Sequence, residues 1–151
     1  MIEIQIAEAF QPALDGEILS QTIQAALKHQ HAPEDAELTV VVDDDEAVHT
    51  LNRDFRGVDD TTDVLSFPAD EVDPESGHPY LGDIIISYPQ ASRQAAAGGH
   101  SIQAELQLLV VHGVLHLLGH DHAEADEKER MWSAQSEILS QLGSPLTSPR
   151  E

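Results

Sequence analysis

An apolar run, Leu106 through Val111 broken only by Gln107, leads directly into His112-Gly113-Val114-Leu115-His116-Leu117-Leu118-Gly119-His120-Asp121-His122. A helix that is apolar on almost every side has to pass through a core, so the rest of the chain must wrap around this one. Ser101 is a good N-cap for it, with Glu105 in its early turns. Residues four apart share a helix face, which puts His112 and His116 one turn apart and pointing the same way. Gly119 stands where a left-handed C-terminal glycine belongs, and the reversal it permits can carry His122 back toward the first two imidazoles. Three neutral nitrogen donors with one position left open are the pattern of a catalytic zinc site.

A lone histidine in an apolar helix is more often a hydrogen-bonded core residue than a ligand. Two of them among leucines each need a separate polar partner, and a third beyond the glycine stop adds to that demand. The metal reading is therefore favoured. The spacing His-x3-His-x2-Gly-x2-His is that of the metzincin proteases, whose first histidine is followed by a glutamate general base. Here that position is Gly113, which carries no proton-transfer group. The zincin-like ligand spacing survives and the protease base does not, so water must be activated by the metal, by another residue or by the substrate.

A chain of 151 residues holds one domain with a real core and is too short for two. It has no cysteine, which leaves histidine and carboxylate as the ligands it can offer. Seven basic against 28 acidic residues, a formal net charge of -21, argue against broad electrostatic binding of nucleic acid. A nucleic-acid substrate held by a few local cations stays compatible with that balance. The N-terminus does not read as a signal peptide and no run is long enough for a membrane span, so the expected location is the cytoplasm, away from membranes.

Taken in order, Ile2, Ile4 and Ile6 alternate as a half-buried strand. Residues 17–30 read as an amphipathic helix and Leu38–Val42 as a buried strand, together a βαβ unit. Asp43-Asp44-Asp45-Glu46 lacks the spacing of a calcium loop and reads as the capped start of a helix through Val48, Leu51 and Phe55. Residues 64–67 and 82–87 read as antiparallel strands separated by a flexible acidic loop over 70–80. An alanine-rich helix over 89–97 ends at Gly98-Gly99. A last helix from Glu124 to Leu142 turns Met131, Trp132, Ile138, Leu139 and Leu142 inward. The expected fold is α+β: one domain over 1–142, a small four-stranded mixed sheet packed with about five helices, and a flexible tail over 143–151.

Three stretches carry a family resemblance. They are Leu51-Asn52 through Arg56-Gly57 with Thr62-Asp63-Val64-Leu65-Ser66-Phe67-Pro68, then Leu81-Gly82-Asp83-Ile84-Ile85-Ile86-Ser87, then the histidine segment from His112 to His122. In this order they resemble the YbeY family of bacterial endoribonucleases, the rRNA maturation factors. The resemblance implies a zinc-dependent single-strand endoribonuclease with one Zn2+ per chain. It also implies a role at the 3′ end of the small-subunit rRNA and in ribosome quality control, with ribosomal RNA and small-subunit assembly components as partners. It implies metal ligation by His112, His116 and His122 and a catalytic role for Arg56. This chain has His120 where the family usually has tyrosine, and an acidic balance where the family's groove is usually positive.

On its own chemistry, Arg56 before a glycine reads as a loop residue, and in an acidic protein its planar fork would suit a scissile phosphate. His120 reads either as a fourth imidazole near the metal or as a solvent-facing residue at the helix end. Asp121 is a candidate acceptor orienting a ligand imidazole, and equally a candidate cap for the last helix. Two other functions stay open at this point. One is a different metallohydrolase such as a peptidase, and the other is a noncatalytic, zinc-stabilised ribosome-assembly protein.

Overall fold

The computed structural model describes residues 2–146. Strand β1 (Ile2–Ile6) alternates half-buried isoleucines with exposed polar residues, as a one-sided strand must. It pairs in parallel with β2 (Glu37–Asp43), and the connection between them is a short 3-10 turn followed by helix α1 (Gly16–His29). The Asp15 side chain caps α1 by accepting the Glu17 N–H. Strand β4 (Pro79–Ser87) lies parallel to β2 on its other side, and β3 (Val64–Val72) pairs antiparallel with β4 at the edge. The sheet order is β1-β2-β4-β3, the small four-stranded mixed sheet expected.

The remaining helices are α2 (Asp45–Arg56), α3 (Tyr88–Gly98), α4 (Ile102–Leu117) and α5 (Ala125–Gln141). Helix α2 starts as its acidic run implied, with Asp44 accepting the Ala47 N–H at 2.8 Å and Asp45 and Glu46 in the positive first turn. The helix runs through Val48, Leu51 and Phe55 as expected. Val48 is buried and Leu51 half-buried, but the face continues through buried Asn52, and Phe55 is 71% exposed. Phe55, seven residues on from Val48, keeps to the same helix face but stands in the last turn of α2, where it stays exposed. Its ring packs edge-on against that of Phe67, with centroids 6.0 Å apart.

The acidic loop also departs from the expectation. Instead of a flexible segment over 70–80, β3 runs to Val72 and β4 begins at Pro79, leaving a turn of residues 73–78. Asp73 Oδ1 accepts the Glu75 N–H and the Asp73 N–H reaches the His78 carbonyl, which closes the hairpin. Acidic residues and Pro68 are tolerated in β3 because it is an edge strand with one side free of ladder bonds.

Helix α4 is the centre of the molecule. Eleven of its sixteen residues are buried, which makes it a core element and not a surface one. It packs against α1, α3, α5 and the β3–β4 half of the sheet. Leu38, Val40 and Val42 of β2 and Ile84 and Ile86 of β4 join it in the larger core. The opposite face of the sheet is covered by α2, where Val48 packs with Leu65 and Ile85. Where α4 crosses β4 the approach is close: a Cβ on Gly113 would sit 2.9 Å from Ile84 Cγ2. Gly143 ends α5 with a left-handed backbone, and Leu146 packs onto the core. Residues 147–151 of the expected tail lie outside the described residues.

Candidate metal centre

The end of α4 sets the geometry. Leu118 is the last half-helical residue, Gly119 follows at φ 97°, and two bonds close the cap: Gly119 N–H to the His116 carbonyl and His120 N–H to the Leu115 carbonyl. This is the Schellman arrangement, and it turns the chain back over the last turn of the helix. His112 and His116 share the face beneath that turn, with ring centroids 4.7 Å apart. His122 returns to 5.8 Å from His112 and 5.2 Å from His116. One nitrogen from each of the three rings lies within 4.8 Å of the others.

Two features of this group suit a metal ion, and the spacing can be compared with that of zinc. The His112 and His116 Nε2 atoms face each other at 3.1 Å. Two nitrogens on one tetrahedral zinc, each about 2.0–2.1 Å from it, would be roughly 3.3 Å apart. Two of the rings, His112 and His116, also resist protonation. Burial, then the neighbouring charge of His116, pushes His112 down to about 4, with Gln135 acting in the opposite direction. Burial and then His122 lower His116 as well, with the Arg56 guanidinium adding to that and Asp121 opposing it. A neutral imidazole offers the lone pair a metal requires.

Gln135, on α5, was not singled out by sequence. It is buried, and its Oε1 lies 3.1 Å from His112 Nδ1. An amide oxygen accepts, so Nδ1 carries the hydrogen and Nε2 is left unprotonated on the side of His116. A faint signal existed: a polar side chain four residues after Met131, on the inward face of an otherwise apolar stripe.

A cavity of ≈ 660 Å³ opens over the histidines, and Arg56, Asn52 and Asp63 share its walls with His112, His116 and His122. Arg56 is the last residue of α2, not a loop residue, and left-handed Gly57 caps the helix behind it. Asn52 steadies the loop that follows through its amide, which donates to the Asp60 carbonyl at 2.9 Å. Asp121 also lines the cavity, and its Oδ1 accepts the His122 backbone N–H at 2.7 Å. It braces the third histidine through the main chain, while the N-cap of α5 is Glu124. His120 turns away from the three rings to Gln30 Oε1, at 2.6 Å. Gly113 faces Ile84 in the sheet, so a glutamate there would meet packed side chains.

A sequence model of the endoribonuclease YbeY family matches residues 4–143. The chain belongs to the YbeY endoribonuclease family. Its similarity to individual members spans nearly the whole length. It is 44% identical to the endoribonuclease YbeY of Chloroflexus aurantiacus (strain ATCC 29366 / DSM 635 / J-10-fl) over 151 residues, covering 95% of this chain and 96% of the relative. With that of Pelotomaculum thermopropionicum it shares 45% over 137 residues, covering 89% and 90%. With that of Geobacillus thermodenitrificans it shares 46% over 134 residues, covering 84% and 86%. Family membership makes it an RNA-cleaving hydrolase. The fold is also that of a Thermotoga maritima protein solved in solution, with a TM-score of 0.61 at 24% identity, covering 100% of this chain and 97% of the other. Among the described residues no helix is long and apolar enough to cross a membrane.

Proposed function

We propose that this protein is a cytoplasmic, zinc-dependent endoribonuclease that cuts single-stranded RNA in ribosomal RNA processing, including the 3′ end of the small-subunit RNA, and in ribosome quality control. The observation that carries the reading is the convergence of three imidazoles and one arginine on a single open cavity in a chain of the YbeY family. In this reading residues 1–142 form the catalytic domain and 143–151 a tail, and small-subunit assembly components are the partners.

His112, His116 and His122 would hold one Zn2+ per chain. Bound there, the ion would supply Lewis-acid polarisation of a phosphodiester and acidify water. Arg56 would hold the scissile phosphate through its planar fork and offset the charge that builds on the phosphoryl oxygens. Asp121 acts by fixing the backbone of His122, a positioning role. The peptidase alternative loses ground at Gly113, since that position lies against Ile84 and has no room for a general base.

The test is cleavage of a single-stranded RNA oligomer by zinc-loaded protein beside Arg56→Ala, Arg56→Lys and His116→Ala. Arg56→Ala is expected to keep its zinc and fold and lose activity by about 10²–10³, the scale of removing one charge-stabilising donor. Arg56→Lys should recover only part, because an ammonium cannot make the bidentate contact. Full cleavage by His116→Ala protein would remove the metal assignment.

A further inference from the structure

A second cavity, of ≈ 380 Å³, lies beside the metal centre, and its walls include His112, His122, Asp63 and Val64, which also line the larger cleft. Its remaining walls are Leu108 and Leu109 from α4 and Lys128, Trp132 and Gln135 from α5. We propose that this cavity is a nucleobase subsite, in which a base of the RNA strand stacks on the Trp132 indole while a neighbouring phosphodiester lies at the histidines. The proposal rests on the ribonuclease reading and deepens it.

Trp132 is placed for this. Helix α5 is expected to turn it into the core, yet it is only half-buried, and its ring stands 5.6 Å from His112 and 5.8 Å from His122. Its Nε1 is buried without a hydrogen-bond partner, so packing, and not a polar contact, sets the ring's position. Lys128 lies one helical turn earlier on the same cavity, with Nζ 6.0 Å from the indole centroid. A flat aromatic face, apolar walls and a nearby cation are what an unpaired nucleotide needs: a surface to stack on and a charge for its phosphate. A base inside a duplex has both faces covered by its neighbours and cannot use such a platform. The subsite therefore supplies a physical reason for preferring single strands. In a chain of net charge -21, where backbone electrostatics oppose RNA, stacking supplies attraction that does not depend on positive charge.

Trp132 is the one tryptophan in the chain, so its fluorescence reads the subsite directly. Zinc-loaded protein would be titrated with a short, end-labelled single-stranded 2′-O-methyl RNA, following indole emission and label anisotropy together. The same titration would use the matching duplex and an oligomer of abasic sugar-phosphates. Cleavage of unmodified RNA would be assayed in parallel. The expected result is saturable quenching that tracks anisotropy for the single strand and is lost with the duplex and the abasic oligomer. Trp132→Phe should bind within a few-fold of wild type, and Trp132→Ala about ten-fold or more weaker, with a raised KM. The phenylalanine variant separates stacking from any loss of fold in the alanine one. Anisotropy that reports binding with unchanged emission would overturn the proposal. So would equal binding of the abasic oligomer, the result expected if the cavity docked a protein side chain and the RNA lay elsewhere. Cleavage without quenching overturns the subsite alone. Quenching without cleavage by wild-type protein supports the subsite and removes the ribonuclease reading. Neither binding nor cleavage removes both.

Discussion

Gln135 Oε1 sits 3.1 Å from His112 Nδ1, joining the last helix to the first histidine of the cluster. The amide accepts the Nδ1 hydrogen and so leaves Nε2 unprotonated, opposite the Nε2 of His116. Gln135→Leu keeps the volume close and removes the acceptor. Zinc affinity is expected to fall about 10–100-fold, the usual effect of losing a partner that orients a ligand. Competition against a chelator measures it, and unchanged affinity would show that packing alone orients His112.

The lowered proton affinity of His112 sets a pH dependence for the metal-free protein. The ring resists protonation when folded, titrating at about 4 because of burial, whereas an exposed histidine takes its proton near 6.5. Above the unfolded value both states are neutral and no penalty exists. As pH falls from about 6.5 toward about 4, the unfolded chain binds a proton that the folded one refuses, and stability is lost across that window. Below it the loss levels off, on the order of 3 kcal/mol from this residue. His116, lowered by burial as well, acts in the same direction. Thermal melts of metal-free protein between pH 4 and 7.5 should show the decline, and His112→Gln should flatten it. A slope as steep in that variant as in wild type would place the effect elsewhere.

Gly113 is predicted to be a packing requirement of the α4–β4 contact. An alanine Cβ there meets Ile84 Cγ2 at 2.9 Å and Cδ1 at 3.0 Å, closer than side chains tolerate without moving. Overpacking of this kind costs about 1–3 kcal/mol, and the better helix propensity of alanine returns about 1 kcal/mol. Gly113→Ala should therefore come out destabilised, by roughly 1 kcal/mol net. Gly113→Glu should be far worse, because it adds a buried carboxylate to the same clash. Denaturant unfolding of zinc-free protein compares the three. An alanine variant more stable than wild type would mean that Ile84 yields freely.

The parts of this molecule that were legible in the sequence are those decided within a single element. An apolar helix reads as buried because no neighbour can change its composition, and the i, i+4 histidines, Ser101 and Gly119 needed only helical geometry to be placed. The β1–α1–β2 unit followed from alternation and β-branching. What was not legible depends on contacts across the chain. Gln135 gains its role only because α5 packs on α4, 23 residues from His112. Trp132 looks like a core residue from its helix face alone and becomes a cavity wall only beside His112 and His122. The hairpin over 64–87 was underestimated because an edge strand can carry acids and a proline that a central strand would exclude.

The distribution of cations bears on how RNA is held. Arg93 Nη2 lies 2.8 Å from Asp45 Oδ2, and Arg53 Nε 3.1 Å from Asp54 Oδ1. The cations on the two cavities around the histidines are Arg56 and Lys128. Single-stranded binding loses affinity with salt at a slope of about -0.7 in log–log form per phosphate neutralised. Two such contacts give a slope of about -1.4, shallow for a nucleic-acid enzyme. Binding to a free oligomer should accordingly be weak and little affected by salt, with stacking supplying a share that salt does not screen. A salt titration of oligomer binding to zinc-loaded protein measures the slope, and Lys128→Ala should lower its magnitude by about 0.7. A steep slope with tight binding would mean that more cations reach the strand than these two cavities present. It would then place the RNA path across the outer surface, where Arg53 and Arg93 would have to leave their carboxylates to join it.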